Sequence, residues 1–450
     1  MKEVRQRMTI ILLLAAALAV GTGIYCIRYA THGSQWAAFP SNQHAFTDGV
    51  LSSGQILDRS GTVLYDPATG AYADDSAVRR ATLHAVGDPY GNIATGARTA
   101  FLSDLVGFSA IDGTNGGGRK VYLTLDAGLC SLACSELGTR KGTVAVYNYQ
   151  TGEILCMVST PTFDPENVPV IKDGDTRYDG VYMNRFLSSA FTPGSVFKVV
   201  TTAAAIENMS DVFDRTFTCT GRLTIDGQTV TCPHAHGTLD LYGAFADSCN
   251  CAYAQLAVEL GGDTLQKYVR EAGLLDSQDV SGITTAAGSF DVGAAGSADL
   301  GWSGAGQYDD LINPCSFLTL MGAVGNGGIP VTPRLIARET TMTGLTVSTP
   351  QKTAGSRIWS EKTCQLLTDM MANNVAKTYG QSNFGDLKIC AKSGTAEVGT
   401  ASPHSWFAGF LNDADHPYAF VVLVENGGGG ATVAGSIAST VLQAAVKAAD

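Results

Sequence analysis

An almost unbroken apolar run from Met8 to Ile27 constrains this chain more than any other feature. About 20 consecutive apolar residues is the length at which an α-helix crosses the hydrocarbon core of a bilayer. A helix buried in a soluble core would carry polar residues along one face, and this run shows no such face. Lys2, Arg5 and Arg7 stand just before it, so the positive-inside rule puts the amino terminus in the cytoplasm and the chain beyond about Tyr29 outside. The run is long for the apolar stretch of a cleaved signal peptide, and no convincing small-x-small cleavage site follows, so an uncleaved anchor is expected. The expected division is residues 1–7 in the cytoplasm, 8–28 as a transmembrane anchor, 29–118 as a small extracytoplasmic module with its linker, and 119–450 as the main domain.

Composition narrows the partners. A formal net charge of −12 argues against nucleic acid, because phosphate binding calls for clustered Lys and Arg that the sequence lacks. With 45% hydrophobic and 16% charged residues, 450 residues provide an ordinary globular core and more than one domain. His32 to His44 reads as a polar connector. Gly54 to Tyr65 reads as two short strands about the turn Asp58-Arg59-Ser60-Gly61, and Gly113 to Gly118 as a flexible linker. His84 is expected to pack or face solvent rather than ligate. After Arg119 come a strand at Val121–Asp126, a helix at Ala127–Leu137 and a hairpin joining Gly142–Asn148 to Glu153–Val158. Near the end, Leu387–Ala391, His404–Phe410 and Tyr418–Glu425 read as strands, followed by a helix at Ser436–Ala449.

The chemistry centres on Phe191-Thr192-Pro193-Gly194-Ser195-Val196-Phe197-Lys198, which leads into a helix-forming run to Met209. Pro193 suits the first helical turn and Thr192 is placed to cap it. Ser195 and Lys198 then share one helical face, where the lysine amine reaches the hydroxyl and the helix dipole favours negative charge developing beside the nucleophile. A pair at this spacing is common in soluble helices, so its meaning depends on partners. Two follow in order, Ser248-Cys249-Asn250 and Lys392-Ser393-Gly394-Thr395.

Together these segments resemble the S-x-x-K, S-x-N and K-[ST]-G set of penicillin-binding proteins and serine β-lactamases. The resemblance runs from about Gly54 to about Val446 and is closest to class B penicillin-binding proteins, the monofunctional D,D-transpeptidases of bacterial cell-wall synthesis. It implies a serine transpeptidase/β-lactamase-like α/β (α+β) fold, an antiparallel sheet covered by helices, joined to the anchor and small module. It implies an acyl-serine on Ser195, with Lys198 as a neutral base whose pKa is lowered by burial and by the charge of Lys392. Ser248 would relay a proton, Asn250 would hold Lys198 or the substrate amide, and Lys392, Ser393 and Thr395 would bind the substrate's terminal carboxylate. Gly394 would let the peptide lie along the strand edge. The backbone N–H groups of Ser195 and Thr395 would form the oxyanion hole. Gly304-Ala305-Gly306-Gln307 and Asn326-Gly327-Gly328 also resemble family segments, with mainly architectural roles.

The implied reaction needs no cofactor. Its partners are peptidoglycan stem peptides, as D-alanyl-D-alanine donor and amine acceptor, together with β-lactams, the cytoplasmic membrane and a membrane glycan polymerase. A serine β-lactamase, a β-lactam receptor and an inactive structural subunit are the competing readings. The anchor with its preceding module argues against the first, a single helix with few residues before it against the second, and the intact triple against the third.

Cysteine number is odd, 11 in all, and most sit in apolar contexts where a free thiol behaves as a small hydrophobe. Cys219 and Cys232 differ, because they flank a hairpin at Gly221–Val230 and are followed by His234 and His236. A disulfide between them is the leading expectation outside the membrane. A zinc site using Cys219 and Cys232 with His234 or His236 is the alternative, and reduced thiols fit a life without oxygen.

Overall fold

Valine, isoleucine and aromatic residues crowd the strands of the main domain, where their branched and flat side chains fill a pleated surface. The computed structural model describes residues 2–37, 54–106 and 118–449. It joins five of these strands into an antiparallel sheet in the order Ile389–Val398, Ala401–Leu411, Tyr418–Val424, Gly142–Asn148, Ile154–Thr160. Successive side chains point to opposite faces, so both must be covered. Trp406 faces the helix Pro314–Gly325 and meets Phe317 edge-on at 6.2 Å, while Phe407 on the other face stacks on Phe384 and Phe420 near the start of the helix Gly435–Ala449. The helices Ala127–Leu137 and Glu361–Asn374 complete the cover. Asp126, Asn313 and Ser360 cap their helices by accepting backbone N–H bonds.

A second, six-stranded sheet runs Thr346–Ser348, Ile336–Thr341, Arg119–Leu123, Gln55–Leu57, Val63–Asp66, Ala71–Tyr72. Arg119–Leu123 pairs in parallel with Gln55–Leu57 and antiparallel with Ile336–Thr341. The sheet therefore crosses the division drawn from the sequence at 118/119, because backbone pairing between distant segments leaves no mark in local composition. His84 is buried, with Nε2 2.8 Å from the carbonyl of Val181. The linker residues 113–117 and the connector residues 38–44 lie outside the described residues.

The apolar run forms a single helix, Lys2–Ala37, longer at both ends than the run itself. It is long and apolar enough to cross a membrane, and its large side chains are exposed. Such a surface is what a lipid-facing helix presents.

Candidate active site

Gly194 opens the site. Its φ of 59° is readily reached only without a side chain, and a Cβ there would lie 2.9 Å from the Cα of Ala396. The chain then makes one tight 3-10 turn, Gly194–Phe197, and continues as the helix Lys198–Asn208. Ser195 sits in the tight turn and Lys198 begins the helix. The cap expected from Thr192 does not form, since Pro193 takes the position before the turn and no side chain caps it. Thr192 is held instead by its carbonyl, which accepts a bond from Trp406 Nε1 at 3.0 Å.

Lys198 is fully buried, and its Nζ lies 2.9 Å from Ser195 Oγ. Around the same nitrogen stand Asn250 Oδ1 at 2.8 Å, the Ser248 carbonyl at 2.7 Å and Ser248 Oγ at 3.1 Å. Ser248 reaches inward because its backbone adopts φ 55°, in the short turn between the helices Leu241–Ala246 and Asn250–Leu260. Asn250 also donates from Nδ2 to the carbonyl of Thr231 at 2.9 Å, tying the lysine's polar cage to the neighbouring hairpin. On the far side, the buried Lys392 Nζ donates to Ser248 Oγ and to the Ser393 carbonyl, both at 3.0 Å. Ser248 thus bridges the two lysines.

Burial pushes the Lys198 amine down to about 7, against an upward pull from the neighbouring Cys232, Cys249 and Cys251. Lys392 is driven down by burial first and then by the charge of Lys198. Both amines are therefore held below their ordinary value, chiefly by burial.

Lys392 to Thr395 lie inside the strand Ile389–Val398, at one edge of the five-stranded sheet. An unpaired edge is where an extended peptide can add as a further strand. The space alongside it is a cleft of about 550 Å³ whose lining includes Ser248, Tyr379, Ser393, Thr395 and His236. Gly394 makes room for the protein itself, since a Cβ there would sit 2.9 Å from the carbonyl of Pro193 and 3.1 Å from Trp406. The close approach is therefore by the turn that carries the nucleophile.

Ser393 is engaged by Tyr379, whose hydroxyl donates to Ser393 Oγ at 3.0 Å and accepts the Ser393 N–H at 2.9 Å. Gln307 Nε2 donates to the Thr395 carbonyl at 3.3 Å, and Gly306, at φ 84°, leaves no room for a Cβ against the Gly194 carbonyl. Sequence reasoning missed Tyr379, which carries no motif, and gave Gln307 only an architectural role.

Cys219 and Cys232 carry no bond to each other in this structure. Cys219 Sγ lies 3.4 Å from His236 Nδ1, and Cys232 Sγ lies 3.8 Å from Cys249 Sγ. His234 is exposed, its ring tilted against that of His236 at 4.4 Å.

Residues 142–443 match the penicillin binding protein transpeptidase domain. The peptidoglycan D,D-transpeptidase PbpA of Mycobacterium tuberculosis is 30% identical over 420 residues, covering 85% of this chain and 83% of that protein. PbpA of Mycolicibacterium smegmatis is 30% identical over 334 residues, 69% of this chain and 67% of that one. The solved structure of penicillin-binding protein A from M. tuberculosis, a ceftriaxone acyl-enzyme complex, shares the fold at a TM-score of 0.78 and 24% identity, covering 88% of this chain and 99% of that one. The chain belongs to the penicillin-binding protein transpeptidase family.

Proposed function

We propose that this protein is a membrane-anchored class B D,D-transpeptidase that cross-links peptidoglycan stem peptides through an acyl-serine on Ser195. The observation that carries the reading is the 2.9 Å contact between Ser195 Oγ and the buried Lys198 amine. A neutral Lys198 accepts the Ser195 proton as Oγ attacks the carbonyl between the two terminal D-alanines. The tetrahedral oxyanion is met by the N–H groups of Ser195 and Thr395, donors fixed before the reaction begins. Ser248, lying between the lysines, passes a proton to the leaving D-alanine nitrogen. Lys392 and Thr395 hold the departing carboxylate, and Tyr379 keeps the Ser393 segment in line. An amine from a neighbouring stem peptide then attacks the ester, and the same groups return the proton in reverse. β-Lactams enter as mimics of the donor and leave Ser195 acylated.

The same reading puts the helix Lys2–Ala37 in the cytoplasmic membrane with its amino terminus inside and the catalytic domain outside, next to a glycan polymerase that supplies uncrosslinked strands. The test uses the full chain in detergent, incubated with benzylpenicillin and followed by intact-mass spectrometry. One long-lived adduct on Ser195, absent from Ser195→Ala, is the expected result. An adduct that turns over quickly would make the protein a β-lactamase, and no adduct would make it an inactive scaffold.

A further inference from the structure

Beside the catalytic cleft, four chain segments converge on one point. Cys219 ends the strand Phe217–Cys219, and Cys232 follows the hairpin strand Gln228–Thr231. His236 precedes Gly237, the residue paired with Cys219 in the adjoining strand, and Cys249 occupies the cap position of the helix Asn250–Leu260. Their Sγ and Nδ1 atoms all lie within 4.8 Å of one another. We propose that Cys219, Cys232, His236 and Cys249 form a structural zinc site that clamps the hairpin wall of the cleft onto the turn carrying Ser248.

Two of the six separations have the size the metal requires. A zinc tetrahedron with sulfur arms of about 2.3 Å and nitrogen arms of about 2.0 Å has edges of about 3.5 to 3.8 Å. The Cys232–Cys249 and Cys219–His236 separations are 3.8 and 3.4 Å. A disulfide would need its sulfurs at about 2.05 Å, much closer than the Cys232–Cys249 pair. Two of the sulfurs also accept backbone N–H bonds, Cys219 from Gly221 and Cys232 from Cys251, each at 3.4 Å. Such bonds stabilise a thiolate. Three thiolates and an imidazole form a closed set of four protein ligands, the usual composition of a structural rather than a catalytic zinc.

Cys251 falls outside the set. Its Sγ is 3.5 Å from Cys232 Sγ and turns toward the Val230 carbonyl at 3.9 Å, a buried thiol beside the site. On loading, three thiols release their protons to the medium and three sulfur–zinc bonds form. Zn²⁺ keeps its oxidation state, so no oxidant is needed, whereas a disulfide would require one. Cys249 lies between Ser248 and Asn250, so fixing its sulfur fixes the turn that presents both side chains to Lys198.

The full-length protein, purified in detergent without chelator, should carry about one zinc per chain by plasma mass spectrometry. Cys219→Ser and Cys249→Ser should each lower this below about a tenth, while Cys251→Ser should retain it. Exchanging zinc for cobalt in the unmutated chain gives a readout independent of variant folding. Tetrahedral cobalt with thiolate ligands should give strong visible and near-ultraviolet bands, which His236→Ala should weaken or lose. A chain that takes up neither metal overturns the site, and peptide mapping without reductant then reports whether Cys219 and Cys232 are disulfide-bonded. Zinc retained by a Cys219→Ser, Cys249→Ser double variant overturns it equally.

Discussion

The five-stranded sheet is made of hairpin neighbours joined at one long-range seam, Tyr418–Val424 against Gly142–Asn148, whereas the six-stranded sheet gathers segments from residues 55 to 348. The first holds its polar groups in the dry interior, with Lys198 and Lys392 both fully buried on either side of Ser248. In the second, Arg119 stays near water, bridging Asp104 at 2.9 Å and Glu339 at 2.7 Å while about a third of its side chain is exposed. Burial makes a lysine expensive to keep charged and so available as a base, whereas exposure leaves an ion pair screened and nearly neutral in its effect. If this contrast is right, polar substitutions around the first sheet should cost chemistry, and loss of an exposed ion pair in the second should cost little.

The strongest way to break the contrast is Lys198→Ala. Removing a general base typically costs about 10²- to 10⁴-fold, and the acylation rate with a fluorescent penicillin should fall by that amount while the fold survives. A near-normal rate would mean that burial of this lysine has no chemical purpose. The pH profile sharpens the point. Lys198 acts only when neutral, and burial holds it at about 7, so acylation should rise about tenfold per pH unit between 5 and 7 and level off above 8. Stopped-flow labelling across that range checks it, and a flat profile would remove Lys198 as the base.

How much of this was legible in the sequence depends on how far apart the interacting residues lie. The helix Ala127–Leu137 and the hairpin of Gly142–Asn148 with Ile154–Thr160 could be read directly, because caps, turns and apolar spacing are local. Ser195, Lys198, Ser248, Asn250 and Lys392 could be picked out through three short motifs, and the structure gathers them around two amines. What could not be read was whatever depends on remote partners. Tyr379 reaches Ser393 from a separate helical turn, Cys249 joins a cluster begun at Cys219, and Gly394 makes room for Pro193. The pairing of Gln55–Leu57 with Arg119–Leu123 is invisible for the same reason.

Tyr379→Phe tests whether support from the cleft wall belongs to the chemical half of the comparison. The change deletes a hydroxyl that serves both Ser393 Oγ and the Ser393 N–H, leaving polar atoms of the cleft wall without their partner. A lost buried hydrogen bond costs about 1–3 kcal/mol, so acylation should slow by roughly tenfold with little change in overall structure. Labelling kinetics beside circular dichroism separate that outcome from simple unfolding.

The smallest expected effect comes from Arg119→Ala. Arg119 joins Asp104, in the short helix Leu102–Val106, to Glu339 in the adjoining strand, and Glu339 is the more buried partner. Burial and the nearby Glu339 together raise the Asp104 carboxyl's pKa above its ordinary value, so the arginine sits between two acids that would otherwise repel. Its own exposure lets water take over part of that task once it is gone, which limits the loss to about 1 kcal/mol or less. In a chain of this size that is an apparent Tm lower by about 1–2 °C, readable by differential scanning calorimetry. The acylation rate should stay within about twofold of the parent, since no hydrogen bond of Arg119 reaches the lysine pair. A large fall in labelling would show that the six-stranded sheet positions the cleft, and the division between a chemical sheet and a holding sheet would have to be abandoned.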